Sequence, residues 1–219
     1  MTIANAINKI IGQSPFLEEA LSEGLINVSS LARQLLPEVE RLTKKKVQES
    51  AIIMAIHRRP AGQSFRISKG IKTFMNELGD IIVRSGLSDH TFENSQTINT
   101  CQRQLMEAVS QDKEAFCTIS QGIYETTIVA SNSLDEKITE IFSSEKRLAQ
   151  KGGLSSVTIR LPKNNTEVSG VYYFLLKNLA WAGINVCEII STSNEVSIIV
   201  SEQDVPRAFP ILMNLKSKR

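Results

Sequence analysis

Residues that perform chemistry are scarce in this sequence. Among 219 residues there are two histidines, three cysteines and one tryptophan, and aromatic side chains make up only 5%. His57 and His90 have no ligand partner at metal spacing, and no Gly-x-Ser-x-Gly, His-Glu-x-x-His or Gly-rich phosphate loop is present. The adjacent acids Glu18-Glu19 and Asp135-Glu136 fall at expected helix starts, where the dipole stabilises negative charge. These absences argue against an enzyme: no catalytic residue, metal site or cofactor is expected. Cys101, Cys117 and Cys187 lie far apart, without redox or zinc spacing, and read as buried reduced thiols. With no secretory start, they point to the cytoplasm. No run approaches the ~20 apolar residues that span a bilayer. The few aromatics disfavour a stacking platform for single-stranded nucleic acid. Net charge is only +2, and it divides as +2 over residues 1–62, −3 over 63–149 and +3 over 150–219. No strong electrostatic footprint results.

What is present is periodicity, and it divides the chain into three segments: 1–62, 63–150 and 151–219. The first is helical. Ile3, Ile7, Ile10 and Ile11 repeat at helical spacing up to Gly12. Ser14-Pro15 starts a second helix, Asn27 or Ser29 caps a third, Pro37 opens a fourth, and a last one runs from about Gln48 to Arg59. Short helices with tight turns suggest a helix-turn-helix-sized bundle. Lys44, Lys45, Lys46, Arg58 and Arg59 are its candidate DNA contacts. The competing reading is a helical docking or dimerisation cap. Pro60 to Ser64 reads as a linker, followed by helix from about Arg66 to Leu78.

The second segment reads as strand, helix, strand, strand, helix: about Asp80–Phe92, Asn99–Val109, Ala115–Ser120, Glu125–Ala130, and a helix capped by Ser133 with Glu136 in a capping box. Gly152-Gly153 marks a boundary. The third segment repeats the order. A strand alternates Val157, Ile159 and Leu161 with polar residues, and a polar loop, a helix Val171–Ala182 and two strands, Val186–Thr192 and Glu195–Val200, follow. A final helix is capped by Ser201 with Asp204. Pro206 and Pro210 lie inside it, which predicts a bend or a later start. Two units in one order suggest an internal repeat, although few residues match.

Ser169-Gly170-Val171, Leu179-Ala180, Ala182 to Val186, Ile189 to Ser191 and Asp204 to Leu212 resemble an ACT domain, most closely the C-terminal ACT domain of aspartokinases. The resemblance covers about 60 of the 219 residues. The middle segment resembles the family in element order only, and the aspartokinase catalytic domain is absent. The resemblance implies ferredoxin-like βαββα ACT-type units, and with the helical, helix-turn-helix-like N-terminal domain read from periodicity the expected fold is α+β: that helical domain followed by two such units. It also implies an amino acid or similar small ligand bound at an interface, with Asn164, Asn165, Thr166, Ser169, Gly170, Val171, Ile184 and Asn185 as candidate contacts. The family's fourth strand is missing from the C-terminal unit, so another segment or subunit should cover that sheet edge.

Helix Val171–Ala182 is apolar on two faces. Val171, Phe174, Leu175 and Leu179 form a stripe for the sheet. Tyr172, Leu176 and Ala180 form another, so a second layer is expected on them. Tyr172, Tyr173, Leu176, Ala180 and Trp181 are therefore candidate interface residues, and a homodimer is the expected assembly. The functional expectation is a non-catalytic, allosteric regulatory protein that senses an amino-acid-like ligand through paired ACT-type units. The alternatives are a DNA-binding transcriptional regulator with an ACT sensor, a regulatory subunit docking on an aspartokinase-like enzyme, and a ligand-free assembly module.

Overall fold

The computed structural model describes residues 1–59, 70–71, 73–112 and 114–217. The chain forms two compact units, Met1–Thr73 with Val168–Gly170, and Phe74–Glu167 with Val171–Arg219. The expected linker Pro60 to Ser64 lies outside the described residues.

The first unit holds α1 (Ile3–Gly12), α2 (Pro15–Ser22), α3 (Val28–Thr43) and α4 (Glu49–His57). Asn27 caps α3, its Oδ1 accepting from the Ser30 amide at 3.0 Å. Ser14 makes no side-chain cap bond, and Pro15 starts α2 by its fixed φ alone. Pro37 does not open a separate helix: it lies inside α3, which runs unbroken for 16 residues. Leu31, Ala32, Leu35, Val39 and Thr43 are buried on both sides of Pro37. Keeping that stripe continuous outweighs the single backbone bond a proline removes. With Ala6, Ile7, Ile11, Ile52 and Ile56, most of these residues make one core.

The second unit is built on one six-stranded antiparallel sheet. Its strands are β1 (Ile81–Glu93), β2 (Cys117–Gln121), β3 (Glu125–Ser131), β4 (Arg147–Arg160), β5 (Val186–Ser191) and β6 (Glu195–Ser201), in the order β2-β3-β1-β4-β6-β5. Helices α5 (Ile98–Val109), α6 (Asp135–Ile141), α7 (Val171–Trp181) and α8 (Val205–Ser217) complete it. The order strand, helix, strand, strand, helix occurs twice, first from β1 and again from β4. On one face of the first repeat, Phe92, Ile128 and Ala130 pack with Ile98, Cys101 and Leu105 of α5 and Ile138 of α6. On another face, Leu87, Val129, Leu154 and Ile199 form a separate buried cluster.

Two long central strands join the repeats. β1 pairs with β4 from Ile81↔Ile159 to Phe92↔Arg147, through Leu87↔Leu154 at the middle. β3 pairs only with the Leu87–Glu93 half of β1, and β6 only with the Leu154–Arg160 half of β4. Each repeat thus receives its fourth strand from the opening half of the other's first strand. The edge left open by the missing strand is filled within the chain. Gly152 and Gly153 lie inside β4, where the sequence suggested a boundary. Gly86 and Gly153 sit at the register shifts beside the crossing point, with φ of +69° and +66°. A left-handed backbone there lets each strand bulge and turn from one half-sheet to the other.

The expected capping boxes do not form. Ser133 lies in a 3-10 turn (Asn132–Leu134) and Ser201 just before another (Glu202–Asp204), and neither turn shows a side-chain cap bond. The extra turn moves the start of α8 to Val205, which places Pro206 in the first turn, where its missing amide costs nothing. Pro210 alone lies inside the helix.

Candidate functional site

Superposing the repeats through their pairing brings out residue matches that element order hid. Gly86-Leu87-Ser88 aligns with Gly153-Leu154-Ser155, and Thr91 with Thr158. Glu125, Ile128 and Ser131 of β3 align with Glu195, Ile198 and Ser201 of β6. The loops after the first strands also correspond. Asn94 Nδ2 donates to Gly122 O at 2.8 Å, and Asn165 Nδ2 donates to Ser193 O at 2.6 Å. In each repeat an asparagine therefore ties the loop after the first strand to the following hairpin turn.

The residues singled out from the sequence fall into separate places. Asn164 and Thr166 are exposed, and half-buried Asn165 spends its amide on Pro162 O and Ser193 O. Val171 is buried at the start of α7. Ile184 and Asn185 lie at its other end, where the Ile184 amide closes the helix on Leu179 O at 3.0 Å. A helix of 11 residues spans roughly 16 Å, so these two groups cannot share one small ligand within a chain. Ser169 and Gly170 belong to the other compact unit, Gly170 with φ of +88°.

At the start of α7 the polar groups converge. Tyr172 Oη and Ser191 Oγ are 2.6 Å apart, and Asn165 holds the adjoining turn. Along the rest of α7 an open groove of about 590 Å³ runs against β5, lined by Leu176, Ala180 and Ile184 to Ile189. Val171, Leu175 and Leu179 are buried beneath the helix. The second stripe is not: Tyr172 is 41% exposed, Trp181 is 78% exposed, Ala180 is exposed and Leu176 half-buried. Tyr173 is also exposed, with Lys177 Nζ 5.6 Å from its ring centroid. Among the described residues of this unit, nothing supplies the second layer expected on that stripe.

The basic candidates of the helical unit also divide. Lys44, Lys45, Lys46 and Arg58 are exposed. Arg59 is not available to a phosphate. Its guanidinium lies 3.3 Å from Glu18 Oε1, both side chains largely buried, and its Nε donates to Asn8 Oδ1 at 3.2 Å. A buried arginine held by its own carboxylate stays where it is, because separating the pair would strand a charge.

Three polar clusters escaped the sequence reading. Buried Ser88 and His90 meet Asp135: His90 Nε2 lies 2.9 Å from Asp135 Oδ1 and 3.1 Å from Ser88 Oγ, and Ser88 also donates to Asp135. This is no nucleophile triad. Serine and acid share one ring nitrogen instead of opposite ones, Nδ1 is buried without a partner, and Ser88 is buried beyond a substrate's reach. A second cluster joins Asp89, Lys151, Cys187 and Glu188. Lys151 Nζ lies 3.1 Å from Cys187 Sγ. Burial raises the Asp89 carboxyl above its ordinary value, and burial with Asp89 and Glu125 nearby does the same to Glu188. The third gathers Ser95, Thr97 and Cys101 around Glu145. The 67-residue offset between the two Gly-Leu-Ser triplets was the signal that relates these clusters to the second repeat.

No protein-family model matches the chain, and no curated protein sequence does. Solved structures do match, over its C-terminal part. The fold resembles the regulatory ACT-domain part of aspartate kinases. The ligand-free regulatory subunit of aspartate kinase from Thermus thermophilus superposes with a TM-score of 0.51 at 10% identity, covering 63% of this chain and 97% of that one. A structure of aspartokinase alpha and beta subunits gives 0.50 at 17% identity, over 64% and 99%. Clostridium acetobutylicum aspartate kinase gives 0.51 at 15%, over 62% of this chain but 34% of that enzyme. At such identities the likeness establishes the fold of the sheet unit. No described helix is long and apolar enough to cross a membrane.

Proposed function

We propose that this chain is a non-catalytic regulatory protein that senses an amino acid or similar small ligand through two ferredoxin-like ACT-type repeats, and that it works as a homodimer. One observation carries the reading: a complete double repeat whose fold matches a separate regulatory subunit nearly end to end. The effector sits at the start of α7, where a helix N-terminus favours a carboxylate and the hydroxyls of Tyr172 and Ser191 lie close by. The dimer forms over the uncovered stripe of α7 and the edge strand β5, which offer Tyr172, Tyr173, Leu176, Ala180 and Trp181 beside unpaired backbone groups.

This geometry constrains the response. The repeats share one continuous sheet through β1 and β4, so they do not repack against each other. A ligand must act by preferring one arrangement of subunits, or of the helical segment, over another. The output is then docking of the helical segment on a metabolic enzyme of the aspartokinase type. Exposed Lys44 to Lys46 and Arg58 favour a second reading, non-specific DNA contact, which a gel shift weakening steeply with salt would reveal. A thermal-shift panel of the common amino acids tests the sensing. At least one should raise the melting temperature in proportion to the logarithm of its concentration. No shift for any of them at millimolar levels leaves only an assembly module.

A further inference from the structure

The sequence reads as three buried thiols, but in the fold only Cys101 is buried; Cys117 and Cys187 are half-buried. The three also differ in what surrounds the sulfur. Burial first, then the Glu145 carboxylate, pushes the Cys101 thiol up, and burial raises Cys117 to about 11. Both therefore stay protonated and inert at neutral pH. Cys187 instead meets a cation: Lys151 Nζ donates to its Sγ at 3.1 Å. The sulfur, and after it Asp89, holds the Lys151 ammonium above its ordinary value.

A bulge makes this pair. Val186 pairs with Val200 and Glu188 with Ile199, which leaves Cys187 as an extra residue in β5. In the first repeat β2 pairs with β3 without a break, and nothing corresponds to Cys187. An extra residue turns a side chain out of the strand's alternation. Here it lays Cys187 against the cluster of Leu87, Val129, Leu154 and Ile199, within reach of Lys151. The counterpart of Lys151 is Arg84: each lies two residues before the glycine of a Gly-Leu-Ser triplet. Arg84 is engaged elsewhere, its Nη1 donating to Glu114 O at 2.8 Å and its guanidinium 6.0 Å from the centre of the Phe116 ring. One repeat ties its cation to a carbonyl and a ring, and the other turns it on a thiol. Lys151 is exposed, Cys187 lines the open groove along β5, and β5 is the last strand of the sheet. A small reagent reaches the pair from that edge.

We propose that Cys187 and Lys151 form a reactive thiolate site that takes small peroxides. The ammonium stabilises the thiolate, which is the attacking form. The sulfur bonds to one peroxide oxygen and the O–O bond breaks. Its electron pair leaves with the other oxygen, which takes a proton from Lys151 and departs as water. Cys187 is oxidised to a sulfenic acid, the peroxide is reduced, and Lys151 regains its proton from solvent. Asp89 and Glu188 adjoin the pair, but burial raises both carboxyls and weakens their competition for the ammonium. The site needs neither the effector nor the dimer of the function proposed above.

The experiment treats the full native chain at pH 7 with hydrogen peroxide and dimedone, a trap for sulfenic acids, and maps the labelled peptides by mass spectrometry. Cys187 should be labelled about tenfold faster than Cys101 or Cys117, and unfolding in urea should remove the difference. Lys151→Met should slow the labelling of Cys187 by about tenfold. It should slow alkylation by iodoacetamide less, because iodide leaves without a proton and hydroxide does not. Equal labelling of the three cysteines in the unaltered chain would overturn the proposal. So would a peroxide rate untouched by Lys151→Met, or equal slowing with both reagents. If Lys151→Met does not fold, the comparison of the three cysteines in the unaltered chain decides.

Discussion

Ser155→Ala should make the sheet unit more stable, although serine to alanine at the equivalent Ser88 should make it less so. Both serines follow the Gly-Leu pair at the centre of the sheet and both are buried. Ser88 has Asp135 and His90 to bond with. At the corresponding places the second repeat carries Val205 and Val157, and Ser155 Oγ is buried with no hydrogen-bond partner. A buried hydroxyl left unsatisfied costs about 1–3 kcal/mol, and alanine removes that oxygen with little loss of packing. The expected gain is about 1–2 kcal/mol, which in a domain of this size raises the melting temperature by roughly 2–8 °C. Ser88→Ala leaves the His90–Asp135 pair in place and should cost about 1 kcal/mol. Thermal and urea unfolding of the two variants beside the unaltered protein measures both. The reasoning is refuted if Ser155→Ala is destabilising, or if the two shifts share a sign. Agreement would mean that Ser155 is buried without the polar partners that Ser88 has.

Other perturbations follow from the same geometry. Gly86→Ala and Gly153→Ala should each cost about 1–2 kcal/mol by urea unfolding, because alanine is strained at positive φ. Gly152→Ala, with open space around it, should change stability much less. Asp89 and Glu188 favour their protonated forms in the fold, so their charge opposes stability above the raised folded-state values and this opposition disappears as pH falls toward the ordinary carboxylate range. Asp89→Asn and Glu188→Gln should therefore raise the melting temperature at pH 7 and lose that advantage near pH 4. Glu145 has the opposite sign, because bonds from the Ser95 and Thr97 hydroxyls hold its carboxyl below the ordinary value. Its contribution is present above the ordinary glutamate value and lost as pH falls below it, so acid unfolding should be shallower in Glu145→Gln. Trp181→Ala with Leu176→Ala should shift light-scattering mass toward the monomer while leaving circular dichroism unchanged.

Element order was legible because each element carried its own period. β1, α5, the β2–β3 pair and β6 were all evident as strands or helices, with Ile98, Cys101 and Leu105 correctly inward. What pairs with what was not, because strand sharing is set by register over long distances. Gly152-Gly153 resembles a linker in sequence and is a bulge only because β1 lies opposite it. Pro37 resembles a helix start, and only the continuous stripe from Leu31 to Val39 shows that α3 ignores it. The candidate ligand residues were carried over as one set, but the length of α7 separates Val171 from Ile184 and Asn185. Arg59 resembled a phosphate contact until Glu18, 41 positions earlier, was found beside it. Glu145 gave no local signal, since its partners Ser95 and Thr97 lie on the far side of two strands and two helices.

The most direct test is isothermal titration of the full chain with individual amino acids, counting sites per chain at a known subunit mass. A sensing function predicts saturable binding of at least one amino acid by a dimer. A monomer that binds none of them would contradict the account.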